Sequence, residues 1–63
     1  MRMYDGLEIF SATLASEREK IGERVTRFLV EHPDLEVVNT ELRQSSDSSH
    51  HCLTVAVFWR RRT

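Results

Sequence analysis

Between Cys52 and Trp59 the chain reads CLTVAVFW: Leu53, Val55, Val57 and Trp59 alternate with Cys52, Thr54, Ala56 and Phe58, and no charge interrupts the run. Successive side chains of a strand point to opposite sides, so both sides of this segment are apolar. Such a pattern belongs to a strand covered on both faces, in the middle of a sheet. The whole chain is 63 residues, and a domain of that size buries only about 60% of the surface its unfolded chain exposes. Whatever covers the second face has to come from a short remainder of sequence or from another chain.

The remainder supplies two more strands and a helix. Residues 4–11 (YDGLEIFS) put Leu7 and Ile9 on one side and Glu8 and Phe10 on the other, a short strand with both faces partly apolar. Ser16 followed by Glu19 is a capping-box pattern, in which a hydroxyl and a carboxylate satisfy orphan amides of a first helical turn. Ile21, Val25, Phe28 and Leu29 then form one apolar stripe among charged neighbours, with Glu23 and Arg27 spaced for an ion pair on the solvated side. Gly22 interrupts that helix at a cost of about 1 kcal/mol relative to alanine, which suggests close approach to a strand. Pro33 disfavours helical geometry at His32 and stops the helix there, and Pro33-Asp34 opens a turn. Residues 35–43 (LEVVNTELR) form the second strand, with Val38, Thr40 and Leu42 on one side and Leu35, Val37, Asn39, Glu41 and Arg43 on the other. The third spans 51–60.

The order of elements is therefore β-α-β-β, an α+β chain forming a single small domain. The helix returns the chain so that strand two runs parallel to strand one, and a hairpin makes strand three antiparallel. The most apolar strand takes the centre, giving an expected order of 1-3-2 with one helix packed on one face. Hairpin register remains open: a five-residue loop pairs Leu42 with Cys52 and Val38 with Ala56, whereas a four-residue loop sets Leu42 and Val38 beside Leu53 and Val57. Under either register one face lacks a roof and carries either the Phe58 and Phe10 set or the Trp59 and Val37 set. An uncovered apolar face of this kind marks an interface, and the candidate residues are Phe10, Val37, Val57, Phe58 and Trp59. Burying two or three such side chains contributes about 1.5 to 3 kcal/mol each, comparable to what a core this small supplies on its own. The expected partner is a second copy of the chain, as a homodimer or higher oligomer, with a further protein partner unidentified.

Chemistry is sparse. QSSDSSHHC, residues 44–52, crowds hydroxyls, a carboxylate, imidazoles and a thiol together, but its composition is that of a hairpin loop. Ser, His and Asp this close in sequence make a poor catalytic triad, because triads draw each partner from a separate segment. His51 points away from His50 and Cys52 on a strand, so one chain cannot close a tetrahedral metal site with the three. Cys52 is the only cysteine, which excludes an internal disulfide and every zinc pattern built on cysteine pairs; buried, it acts as a small hydrophobe. No catalytic residue, metal ligand or cofactor is assigned, and no enzymatic role is expected.

Nine basic against ten acidic residues leave a net charge of −1, so no global field draws in nucleic acid or an anionic membrane. MRMYDGLEIF lacks the apolar run of a signal peptide, and no membrane-spanning stretch occurs; a cytoplasmic location is the expectation. One feature points the other way. Trp59 beside Arg60, Arg61 and Arg62 could stack a base and hold phosphates, so these three arginines are candidate phosphate contacts in an alternative reading as a nucleic-acid binder.

The ending HCLTVAVFWR, after a charged amphipathic helix and a strand in a chain of this length, resembles the small sporulation-protein family of spore-forming Gram-positive bacteria. A similar strand there begins with an aromatic residue, a Cys, an apolar residue and a Ser or Thr, and ends in an aromatic and a basic residue; His51 departs from that pattern at its first position. The resemblance implies a fold and no biochemical activity. The β-α-β-β order is also similar to that of dodecins, which implies an alternative role as a flavin binder with a site between subunits. Dodecins stack the flavin on a Trp of the second strand, where this chain has Val37 and Val38, so no binding residue carries over.

Overall fold

The structure, a computed structural model, describes residues 3–46 and 51–62. Five elements follow one another: β1 (Gly6–Ala12), α1 (Ala15–Glu19), α2 (Ile21–Glu31), β2 (Leu35–Ser46) and β3 (His51–Arg61). They build a three-stranded sheet in the order β1-β3-β2. Both outer strands run antiparallel to β3 and hence parallel to each other. The strand with apolar residues on both sides is the central one, as its sequence demands. The helices pack over β1 and one side of β3 only.

The helical segment differs from its sequence pattern in two places. Its cap is not Ser16, which falls inside the first turn, but Leu14, whose backbone N–H donates to Glu17 Oε1 at 3.3 Å. The helix also breaks at Lys20 (φ −100°, ψ 0°), where the Lys20 N–H turns back to the Glu17 carbonyl at 3.1 Å. This tightened turn is of the 3₁₀ kind that commonly closes a helix, and it divides one expected helix into α1 and α2. α2 ends at Glu31, and His32 leaves helical geometry (φ −129°, ψ 64°) immediately before Pro33.

Gly22 has no neighbour within 4 Å of the place a β-carbon would occupy, so it does not mediate a close approach to a strand. Its φ is negative like that of any helical residue. Gly22→Ala should therefore stabilise the chain by about 0.5–1 kcal/mol through the reduced entropy of the unfolded state, read as a raised midpoint of urea unfolding with unchanged slope.

The core is small. Phe10, Ala12, Ile21 and Val57 are buried, and Val25, Phe28, Leu53 and Val55 pack against them half-buried. Phe10 lies opposite Val55, and Ala12 opposite Leu53, so the helix-covered face is the one bearing Leu53, Val55, Val57 and Trp59. Phe28 meets the Phe10 ring edge-on, with centroids 5.8 Å apart. Only Val57 among the β3 side chains is fully enclosed, at 0% exposure.

β2 carries the clearest departure from sequence reasoning. Ser46 pairs with His51 and Leu42 with Val55, so β2 extends three residues past Arg43, and neither expected register occurs. Residues 47–50, which fall in the expected hairpin loop, lie outside the described residues; Gln44, Ser45 and Ser46 belong to the strand. Opposite Phe58 and Trp59 the pairing skips Val38, which forms a bulge: Val37 faces Trp59 and Asn39 faces Phe58. The inserted residue reverses the alternation. Val37 therefore joins Thr40 and Leu42 on the helix side, while Val38 turns to the other face, the reverse of strict alternation.

Candidate interaction surfaces

The face without a helix is assembled from all three strands. β1 contributes Leu7 and Ile9, which lie opposite Phe58 and Ala56 of β3. The bulge brings Val38 beside Phe58, and together with Met3, Tyr4 and Asn39 they line an open cleft of about 260 Å³. The Tyr4 ring stands edge-on to Phe58, centroids 5.0 Å apart at 72°, a favourable quadrupole arrangement. Farther along, the Ser11 and Thr54 hydroxyls approach to 3.4 Å and Cys52 Sγ lies 3.8 Å from Thr54 Oγ1, so these polar groups satisfy one another. The result is an apolar stripe along β1 and β3. Beside it β2 presents a charged row, with Glu41 opposite Ala56 and Arg43 opposite Thr54. Ile9, in the middle of the stripe, is 58% exposed.

The residues proposed from sequence divide between the two faces. Phe58 lies on the open face. Phe10 and Val57 are core residues beneath the helix, and Phe10 does not share a face with Phe58. Val37 and Trp59 pair with each other on the helix side, Trp59 half-buried and Val37 exposed. The open-face residues missing from the sequence set are Leu7, Ile9, Tyr4 and Val38. Alternation with Phe10 was the available signal for Leu7 and Ile9. Val38 had none, because strict alternation sends it the other way.

Trp59 lies against a second cleft, of about 550 Å³, between the sheet and the far end of α2. Its volume falls within the range of ligand sites. The aromatic walls are Phe10, Phe28 and Trp59, and His32 stacks on Phe28 with centroids 4.6 Å apart. Around the rim Glu8 and Glu31 offset Arg24 and Arg27, so no excess positive charge awaits a phosphate-bearing ligand such as a flavin nucleotide. Arg24 is further engaged, donating to the Ser11 carbonyl at 3.0 Å and lying over the Phe10 ring at 5.8 Å.

The three candidate phosphate contacts each have a partner within the chain. Arg60 donates through Nε and Nη2 to Glu36 Oε1, at 3.2 and 2.9 Å. This hydrogen bond and charge, reinforced more weakly by Arg62, hold the Glu36 carboxyl below the ordinary glutamate range. Arg61 lies over the Trp59 ring at 5.5 Å, and its backbone N–H donates to Asp5 Oδ2 at 2.8 Å. Arg62 Nε donates to the Pro33 carbonyl at 3.1 Å. The tail laces β3 to the starts of β1 and β2.

His51 shares a hydrogen bond with Ser46 across the hairpin, Nδ1 to Oγ at 2.8 Å, and as its strand neighbour Cys52 points to the opposite face. His50 lies outside the described residues. Among the described residues no three His, Cys, Asp or Glu side chains converge where a metal ion could sit, and no helix is long and apolar enough to cross a membrane. The chain matches no protein-family model, no curated protein and no solved structure.

Proposed function

We propose that this chain is a non-catalytic, homo-oligomeric interaction module that assembles through its helix-free sheet face, the assembled surface serving contact with another protein in the cytoplasm. The observation that carries this reading is the stripe of Leu7, Ile9, Ala56 and Phe58, apolar side chains that no helix or strand among the described residues covers. Area supports it. A compact monomer of 7.4 kDa is expected to expose about 4200 Å², whereas this chain exposes 4994 Å². The neutral rim of the larger cleft and the internally paired arginines favour this reading over a flavin site or a nucleic-acid surface.

Ile9→Lys tests the proposal. At 58% exposure the substitution should leave the fold intact, while placing a charge in the centre of the interface. It should raise the dissociation constant of that interface about a hundredfold, since losing one buried aliphatic contact alone removes about 1.5 to 3 kcal/mol. Sedimentation equilibrium reads the mass, and far-UV circular dichroism checks the fold. A variant that assembles as tightly as the parent chain would rule the face out.

A further inference from the structure

Resting on that self-assembly reading, we infer that a second copy of the chain also pairs along β2, antiparallel about a twofold axis at Leu42, so that two subunits share one six-stranded sheet. β2 is an edge strand, bonded only to β3, and α1 and α2 lie over β1 at the opposite side of the sheet. Unpaired strand edges are templates for a further strand. Proteins protect them with charges, and here the charges have a pattern that repels most registers and fits one.

The pattern is Glu41-Leu42-Arg43. In a twofold antiparallel pair whose two copies keep their helices on the same side, residues directly opposite must have the same orientation. Centring the axis on Glu41 sets carboxylate against carboxylate, and centring it on Arg43 sets guanidinium against guanidinium. Like charges directly opposite are destabilising. Centred on Thr40 or Gln44, no opposite charges meet. With the axis at Leu42, Glu41 lies opposite the partner's Arg43 and Arg43 opposite the partner's Glu41, a self-complementary arrangement of the kind an isologous interface requires.

Three structural features agree with this register. Glu41 and Arg43 lie on one face, 3.5 Å apart in an exposed ion pair within the chain, and Arg43 also donates to the Leu42 carbonyl at 2.9 Å; cross-strand pairing would exchange these contacts for the partner's. Leu42 is 60% exposed on the helix side, where no helix covers β2, and the pairing would bring it against its own copy. The Val38 bulge ends the regular ladder on one side, and Leu42 lies near the middle of the remaining stretch from Asn39 to Ser46.

Charge exchange tests the pairing in the Ile9→Lys background, which removes the face interface and isolates the edge. That chain should sediment at twice 7.4 kDa. Adding Glu41→Arg should raise the dissociation constant about tenfold, because two attractive cross-strand pairs become repulsive. Combining Glu41→Arg with Arg43→Glu restores complementarity and should return the constant to within about twofold. A double exchange as weak as the single substitution would overturn the register. Should the Ile9→Lys chain be a folded monomer, the edge pairing fails while the face reading stands. Should Ile9→Lys leave assembly unchanged and Glu41→Arg alone dissolve it, the edge stands and the face reading fails.

Discussion

Phe10→Ala is expected to abolish cooperative folding at 25 °C. The Phe10 side chain is 7% exposed and fills the space between Val55 on the neighbouring strand and Phe28 on α2. Truncating a buried phenylalanine costs about 3 to 5 kcal/mol, part lost transfer energy and part cavity. A core in this size class supplies roughly that amount in total. Among the described residues the buried set contains only Ala12, Ile21 and Val57 besides Phe10, so no second layer there can move in to fill the gap. Urea titration followed by circular dichroism should find no folded baseline for the variant. Val30→Ala, at a position 73% exposed on α2, should shift stability by less than about 0.5 kcal/mol. A loss below about 1 kcal/mol for Phe10→Ala would mean that the stability resides elsewhere than the helix-covered face.

Gly6→Val should be nearly as damaging, for a reason that concerns space and not backbone freedom. Gly6 faces Trp59 across β1 and β3, and the six-membered ring of the indole occupies the position a β-carbon would take. Gly6 has no positive φ that would require glycine. The surrounding backbone has little room to yield, because Asp5 pins both strands: its N–H donates to the Trp59 carbonyl at 2.8 Å and its Oδ2 accepts the Arg61 N–H at 2.8 Å. The indole must therefore swing out, uncovering the end of the sheet and losing the packing of Arg61. Overpacking of this kind costs about 1 to 3 kcal/mol, a large share of the stability of a small domain. Trp59 is the sole tryptophan, so its emission reports the displacement directly, as a red shift accompanying the lowered urea midpoint. Combining Gly6→Ala with Trp59→Leu should recover much of the loss of Gly6→Ala alone, since contacting residues couple in a double-mutant cycle. An unshifted emission maximum in Gly6→Val would show that the ring does not depend on the missing side chain.

How much of this was legible in sequence depended on range. The central place of β3 was legible because eight consecutive uncharged residues, Cys52 to Trp59, leave no solvent-facing side. The end of α2 at Glu31 was legible because Pro33 acts on its immediate neighbour. Alternation also separated Leu7 and Ile9 from Phe10 correctly. The partner of Phe10 was another matter. β1 reaches β3 through two helices and the whole of β2, with no short loop to count, and α2 seats Phe28 on Phe10 once the strands have paired. That long-range choice put Phe10 and Val57 under the helix, away from Phe58. The Val38 bulge is likewise a property of two strands in contact: local sequence offers Val37 and Val38 as equals, and only pairing with Phe58 and Trp59 makes one of them the extra residue. At the helix start, both Glu17 and Glu19 could serve a cap, and the chain uses Glu17 with Leu14 in place of Ser16 with Glu19.

The central claim, that another copy of the chain covers Leu7, Ile9 and Phe58, can be examined at the contact itself. Mixing isotope-labelled and unlabelled chains and recording isotope-filtered nuclear Overhauser spectra detects only protons that approach across a subunit boundary. The account predicts such cross-peaks from the Leu7 and Ile9 methyl groups and the Phe58 ring. A folded chain tumbling at 7.4 kDa, with those protons silent and that face in water, would contradict it.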